Sequence, residues 1–192
     1  RNLEVSSASQ LVFNNGTVDL TNRLQVSGGS ELILGVPIKA AVADLTGTST
    51  LTQIPTTGSA LFKVDINAST LNIDGTSKID VSARGFLGAG QSGNPFQLAG
   101  MTLGFQSGSN GFSGGSYGGG GAAGGGTPPS PNLVYGDFRN PNEPGSGGAG
   151  ILSAGRIGGN GGGLVRIVAG TINLNVQILA NGGNFSTNCF DG

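Results

Sequence analysis

Hydrophobic and polar residues alternate with a period of two in many short stretches of residues 1–85, as in FKVDI at 62–66. Such alternation is typical of a strand with one buried face. Turn sequences such as NNG, SGG, NAS and DGTS separate these stretches, and no longer window shows the helical period. The pattern predicts these strands: Asn2–Val5, Gln10–Phe13, Thr17–Leu20, Arg23–Val26, Glu31–Leu34, Leu61–Ile66, Thr70–Ile73 and Lys78–Ala83.

Two distant segments repeat one pattern, FKVDINASTLNIDGTSKIDVSARG at Phe62–Gly85 and VRIVAGTINLNVQILANGG at Val165–Gly183. Each contains an alternating strand, a turn, a short strand, a second turn and a final strand that ends in Gly. One turn of a parallel β-coil needs about twenty or more residues, and both segments fit that length. Among the all-β folds built from short strands, we therefore favour a parallel β-helix, or solenoid, over a sandwich or a barrel.

The alternation also predicts which side chains fill the core of such a coil. The following residues are expected to point inward: Leu61, Val64, Ile66, Leu71, Ile73, Ile79 and Val81. The following are expected to point outward: Lys63, Asp65, Asn72, Asp74, Lys78 and Asp80. Asn and Thr tolerate stacking on copies of themselves in successive rungs, whereas rows of like charge do not.

Glycine dominates the middle of the chain and accounts for 39 of its 192 residues. A flexible tether would contain Gly and Ser alone, but residues 86–163 also carry Phe, Tyr and Pro at intervals. Glycine segments lie closer together than other backbones and pair through their N–H and C=O groups. We expect rungs at 1–85, an ordered, largely irregular or polyglycine-like insertion at 86–163 packed on the coil, and a further rung at 164–192.

The composition excludes several kinds of chemistry. Charged residues make up 10% of the chain and the net charge is −1, so a nucleic-acid partner is not expected. The absence of His removes the commonest general base and metal ligand, and we expect no cofactor. No apolar run is long enough to span a membrane. Abundant Ser, Thr, Asn and Gly with few Lys and Glu is common in extracellular and cell-surface β-proteins.

One group of charged residues is a candidate catalytic cluster: Asp65, Asp74 and Asp80 with Lys78 and Arg84. In a β-helical lyase, carboxylates hold calcium and a Lys or Arg takes a proton. The alternative is an outer ladder in which charges of opposite sign balance one another. We favour the ladder and predict that the chain is not an enzyme.

The loop YGDFRNPNEPG, Tyr135–Gly145, concentrates polar residues between prolines. Tyr135, Asp137, Arg139 and Asn140 are therefore candidate residues for contacts with a glycan or another ligand. Asp and Asn oxygens also suit calcium, although the spacing matches no known calcium loop. The alternative, which we favour, is a turn in which Asp137 or Asn140 caps backbone N–H groups.

Two kinds of modification are compatible with the sequence. N-x-S/T sequons at Asn15, Asn67 and Asn184 permit glycosylation. The single Cys189 excludes an internal disulfide, and in a secreted protein it favours a bridge to residues outside this segment.

The quoted strands and loops, together with GGNGGG before Leu164 and NCFDG at 188–192, resemble a glycine-rich right-handed parallel β-helix module. The resemblance covers Leu61 to Gly192, and such modules occur in large secreted and cell-surface proteins. It implies a structural or adhesive role in a filament, sheath or surface fibre, self-association, and further rungs after Gly192. The broader class also contains polysaccharide lyases and hydrolases, so a carbohydrate-active enzyme or a glycan-binding module is the alternative.

Overall fold

The computed structural model describes residues 1–109, 113–117, 119, 121, 134–150 and 156–184, and these are almost entirely β. The strands are β1 Leu3–Val5, β2 Gln10–Phe13, β3 Val18–Asp19, β4 Arg23–Val26, β5 Glu31–Leu34, β6 Ile38–Leu45, β7 Thr50–Gln53, β8 Val64–Ile73, β9 Lys78–Asp80, β10 Gly100–Thr102, β11 Gln106–Ser109, β12 Val165–Leu174 and β13 Ile178–Leu179. Within the described ranges, helix is limited to a 3-10 turn at Leu103–Phe105. The prediction of an all-β chain is confirmed.

All described strands except β10 and β11 form two parallel sheets. One has the order β1-β4-β6-β8-β12, with β3 also beside β6, and the other has the order β2-β5-β7-β9-β13. From β3 and β4 onward the chain alternates between the two sheets, and each strand is added beside the previous strand of its own sheet. Strands β10 and β11 form a separate antiparallel pair.

The register of the first sheet makes columns of equivalent residues. Leu3, Leu24, Ala43, Leu71 and Ile172 are successive partners, at intervals of 21, 19, 28 and 101 residues. The last interval is long because the described residues between β9 and β12 contribute no strand to either of these sheets. The two segments with the repeated pattern are therefore neighbours, since β12 pairs with β8.

Aliphatic side chains from both sheets pack into one core. Of the residues predicted to point inward, Val64, Ile66, Leu71, Ile73, Ile79 and Val81 are buried, which confirms that part of the prediction. The prediction was wrong for Leu61, which is 40% exposed because β8 begins only at Val64. The residues predicted to point outward are at least partly exposed except Asp65, which is buried.

Three strands were not predicted, and two predicted strands are one continuous strand in the structure. β6, β10 and β11 were not predicted, because IKAAVADL, GMT and QSGS show little apolar-polar alternation. The stretch TGTSTLT at Thr46–Thr52 was expected to be a simple exposed strand; β7 begins within it, at Thr50, and is mostly buried. The NAS turn predicted at residues 67–69 is instead the middle of β8. Ala68 continues the ladder because it pairs with Ala40 on one side and with Ala169 on the other.

The chain divides into two compact units. The sheet unit contains Arg1–Ile54, Phe62–Val81 and Val165–Leu179, and the glycine unit contains Pro55–Leu61, Ser82–Leu164 and Ala180–Gly192. In the described part of the glycine unit, extended segments are joined by backbone hydrogen bonds outside regular sheets. Segment 85–89 bonds to three others: Phe86 N–H to Gly145, Gly161 N–H to Phe86, and Met101 N–H to Leu87.

The glycine unit leaves no room for side chains at several positions. A Cβ built on Gly147 would lie 2.0 Å from the Leu87 carbonyl oxygen, and one on Gly161 would lie 1.9 Å from that of Gly145. A strand in a sheet has two neighbours, whereas these segments have three or more, so backbone occupies the directions that side chains would take. Glycine is required there by the close approach of backbone to backbone.

Candidate functional site

The acidic residues of the candidate catalytic cluster have different partners. The Asp65 carboxylate lies 3.2 Å from Nζ of Lys63 and 3.2 Å from Nη1 of Arg166. The Asp80 carboxylate lies 2.8 Å from Nζ of Lys78. These ion pairs balance charge along the strands, as the ladder interpretation expects.

Asp74 holds a corner together. Its Oδ1 accepts hydrogen bonds from the N–H and hydroxyl of Thr76, both at 2.9 Å, and from the N–H of Ser77 at 2.8 Å. Its Oδ2 accepts one from the N–H of Gly47, at 2.7 Å, in the connection between β6 and β7. The Gly47 N–H is the largest cause that holds the pKa of Asp74 far below its usual range, and the Thr76 and Ser77 bonds add to it. A carboxylate with so many donors is engaged in structure.

Arg84, the remaining member of the candidate cluster, belongs to the glycine unit. Its backbone carbonyl accepts a hydrogen bond from the N–H of Thr56 at 2.9 Å. The ion pairs of Asp65 and Asp80 and the hydrogen bonds of Asp74 described above involve different residues.

A polar column that the sequence analysis did not identify contains Asp44, Asn72 and Asn173 on three strands of the first sheet. Arg23 on a fourth strand, whose register partner is Val42, reaches this column with its side chain. Nε of Arg23 on β4 donates to Asp44 on β6 at 2.6 Å, and Nδ2 of Asn72 on β8 donates to Asp44 at 2.7 Å. Nδ2 of Asn173 on β12 donates to Oδ1 of Asn72, also at 2.7 Å. The sequence does contain a signal for part of this column. Asn72 and Asn173 occupy the same position of the repeated pattern, in TLN and TIN, and they are register partners in the sheet.

Serines form a second column at the corners that lead into the second sheet. Ser30, Ser49 and Ser77 are buried, and the N–H of Ser49 donates to Oγ of Ser77 at 3.1 Å. The N–H of Ser9 donates to Oγ of Ser30 in the same way, at 3.2 Å. A short serine side chain that fits the turn therefore links the corner at Ser9 to that at Ser30, and the corner at Ser49 to that at Ser77.

Tyr135 in the YGDFRNPNEPG loop is half-buried. Its hydroxyl donates to the carbonyl of Pro144, and its ring meets those of Tyr117 and Phe86 edge-on, with centroids 5.2 and 6.2 Å apart. Burial raises the pKa of the Tyr135 hydroxyl well above its usual value, and the neighbouring Tyr117 and Glu143 add to the increase. These contacts anchor the loop within the glycine unit.

The other candidate residues of this loop form a turn. Oδ1 of Asp137 accepts a hydrogen bond from the N–H of Arg139 at 2.8 Å, and the Asp137 carbonyl accepts one from the N–H of Asn140 at 3.1 Å. The guanidinium of Arg139 lies 5.1 Å from the ring centroid of Phe138, which is 68% exposed. Phe138, absent from the predicted set, is the exposed aromatic residue of the loop.

The predicted modification sites can be placed only in part. Asn15, Asn67 and Asn184 are exposed, as glycosylation requires. Cys189 lies outside the described residues. Within the described part of the chain, no three His, Cys, Asp or Glu residues are grouped to hold a metal ion, and no helix is long and apolar enough to cross a membrane.

Comparison with known proteins gives no relative from which a role can be transferred. No family model, no curated protein and no solved structure matches the chain. The resemblance to glycine-rich β-helix modules therefore stays a prediction, and function has to be argued from the contacts described above.

Proposed function

We propose that the chain is a structural segment of an extracellular parallel β-solenoid protein, such as a filament, sheath or surface fibre. The observation that carries the proposal is the continuity of the columns across both sheets. In the columns that face the core, apolar residues lie next to apolar residues on successive strands, as do Leu32, Leu51 and Ile79. In a column that faces outward, polar residues on successive strands are hydrogen-bonded to each other, as are Asp44, Asn72 and Asn173.

Such columns favour mechanical stiffness. Each internal strand is bonded to a neighbour on both sides, so bending the stack has to strain parallel hydrogen-bond ladders together with the packed core. Side-chain links such as Asp44 to Asn72 and Gly47 to Asp74 add connections from rung to rung. An extended scaffold needs this kind of rigidity, and it needs no reacting group.

The enzymatic alternative has less support. A lyase needs its carboxylates and its base to converge on one substrate position, within hydrogen-bond reach of the atoms that react. Asp80 instead pairs with Lys78 on its own strand, and Asp65 pairs with Lys63, which lies just before its strand. Both carboxylate oxygens of Asp74 accept hydrogen bonds, one from Thr76 and Ser77 in its own turn and the other from the N–H of Gly47.

Polysaccharide cleavage tests this part of the proposal directly. The purified chain is incubated with acidic and neutral polysaccharides, with and without Ca²⁺, and new chain ends are measured. We expect no cleavage above that of the variant in which Asp65 and Asp80 are both replaced by Asn. Cleavage by the wild type that this variant lacks would overturn the structural role. A crystal structure without a closed parallel coil would overturn the solenoid.

Glycan binding is a second candidate function, and the exposed ring of Phe138 beside Arg139 is the observation that favours it. Aromatic rings flanked by hydrogen-bond donors suit the apolar and polar faces of a sugar. Glycan-array binding that is lost in Phe138→Ala but retained in Leu98→Ala, a change at another exposed apolar residue, would support it. The absence of binding by the wild type would remove this candidate.

A further inference from the structure

In the part of the chain that the structure describes, strands β12 and β13 lie at one end of the sheet unit's apolar core and leave that end partly exposed. They are edge strands of their sheets, and their inward positions continue the buried columns. Ile172 is 48% exposed although its partner Leu71 is 0% exposed, and Ile178 is 37% exposed although its partner Ile79 is 0% exposed. An edge of this kind is a template for a further strand.

The backbone of β12 is open in the same direction. The N–H of Asn175 donates to the carbonyl of Ile73 on β8, at 3.3 Å. Successive residues of a strand in a parallel ladder direct their N–H and C=O groups to opposite sides. The backbone groups of Leu174 and Ile172 are therefore directed away from β8, toward the position of a further strand.

The opposite edges of the same two sheets, β1 and β2, have matching chemistry. Leu3 on β1 begins the column that Ile172 ends, and Leu11 on β2 begins the column that Ile178 ends. All strands of both sheets run parallel. A copy of the chain displaced along the stacking direction would thus place β1 beside β12 and β2 beside β13, with apolar residues against apolar residues.

The outward columns also match at such a junction. Glu4 begins the column that passes through Gln25, Asp44 and Asn72 and ends in Asn173. Within the chain, Asp44 already accepts a hydrogen bond from the carboxamide of Asn72. The Asn173 carboxamide donates to Asn72, and its second N–H can donate to the carboxylate of Glu4 in a second copy.

We propose that the β12–β13 edge binds the β1–β2 edge of a second copy of this chain, head to tail, so that both parallel sheets continue across the junction. This inference rests on the proposed solenoid and specifies its partner. Because the two edges are different surfaces, the contact is heterologous and each added copy exposes a new edge. The product is an open-ended stack.

The first test measures association of the purified chain by sedimentation velocity over a range of concentrations. We expect the wild type to associate and Ile172→Lys to associate at least about tenfold more weakly, because the junction would bury an unpaired charge. The matched control is Val168→Lys on the same strand, in the outward column that already contains Lys39 and Asn67. This control should associate like the wild type.

The second test distinguishes head-to-tail contact from pairing of two identical edges. Leu11→Lys blocks the β2 edge and leaves β12–β13 intact, whereas Ile172→Lys does the reverse. Each variant alone should be monomeric, and an equimolar mixture should form dimers that grow no further. Circular dichroism and thermal melting check that each variant folds, and Leu3→Lys replaces Leu11→Lys if the latter does not.

Three results would overturn the head-to-tail contact: a wild type that stays monomeric, association that Ile172→Lys leaves unchanged, or dimers of Leu11→Lys alone. None of them bears on the solenoid or on its structural role, which are decided by the crystal structure and the polysaccharide assay. Cleavage of a polysaccharide, conversely, would leave the association result standing.

Discussion

The sheet unit and the glycine unit are each stabilised internally, but by opposite means. In the sheet unit, columns of Leu, Ile and Val from two parallel sheets fill one core, and Leu71 is completely buried there. In the glycine unit, extended segments bond directly to several neighbouring backbones, and Gly147 lies too close to Leu87 for any side chain. One unit depends on the presence of side chains and the other on their absence.

The difference predicts opposite responses to a change in side-chain size. Removing methyl groups from the sheet unit leaves a cavity, whereas adding a methyl group to the glycine unit pushes hydrogen-bonded backbones apart. A glycine also has a high conformational entropy in the unfolded chain, so the hydrogen bonds of the glycine unit have to offset a larger ordering cost per residue. The two units therefore fail for different reasons.

The largest effect is expected for Leu71→Ala at the centre of β8. We expect the free energy of unfolding to fall by about 2–5 kcal/mol, because the substitution opens a cavity between two flanking strands. The measurement is urea unfolding followed by circular dichroism. The control is Ile172→Ala in the same column but at the exposed edge, studied under conditions in which the chain is monomeric. Equal losses at the two positions would contradict the buried core.

Gly147→Ala is expected to have the next largest effect. The new methyl group would meet the Leu87 carbonyl, and relieving that contact should cost about 1–3 kcal/mol. The matched control is Gly148→Ala, where the nearest atom, the Gly159 carbonyl oxygen, is 3.6 Å from the added Cβ. Hydrogen exchange of segments 85–89 and 145–150 should accelerate in Gly147→Ala alone. Similar exchange in both variants would show that the close packing does not hold.

The sequence predicted the sheet unit better than the glycine unit, for a physical reason. Strands with period-two alternation, such as Arg23–Val26, were found at their observed limits because each residue's environment follows from its own type. The strand Ile38–Leu45 was missed because Ala at positions 40, 41 and 43 carries little contrast, and only its partners in β4 and β8 define it. Long-range pairing overrode local preference.

The contacts of the polar residues were less predictable. The sequence indicated that Asp65, Asp74 and Asp80 would balance charge, but it could not pair Asp65 with Arg166, because that pair depends on a register across 101 residues. The column from Asp44 to Asn173, to which Arg23 is bonded, was missed for the same reason. In the glycine unit, a run of identical residues contains no pattern that tells which Gly faces open space and which faces a carbonyl.

A smaller effect is expected at the polar column of the sheet unit. Asn72→Ala removes the hydrogen bonds to Asp44 and Asn173 together, and each such bond contributes roughly 0.5–1.5 kcal/mol. Asn173→Ala, at the edge, removes only one of them and should cost less. Urea unfolding of both single variants and of the double variant measures the coupling. Additive losses would show that the column does not act as a connected unit.

The smallest effect on the unfolding free energy is expected for Asp74→Asn. This effect depends on pH, whereas the hydrogen bonds of the glycine unit should not. The pKa of its carboxyl is lowered in the folded state, chiefly by the Gly47 N–H, and lies near 3.9 in the unfolded chain. A lowered folded pKa gives stability that is present above the unfolded value and is lost as the pH falls through the folded value. The difference in unfolding free energy between the wild type and Asp74→Asn should therefore be largest at neutral pH and shrink below about pH 4.

The glycine unit supplies the contrast for that titration. Hydrogen bonds such as those from Gly145 to Gly162 and from Gly148 to Gly159 join backbone groups, which do not titrate in this range. Exchange protection of those amides, corrected for the pH dependence of intrinsic exchange, should stay constant while the amides of Gly47 and Thr76 lose protection in acid. If the glycine amides lost protection in parallel with the Asp74 corner, the two units would open as one, and the distinction between side-chain and backbone cohesion would have no thermodynamic consequence.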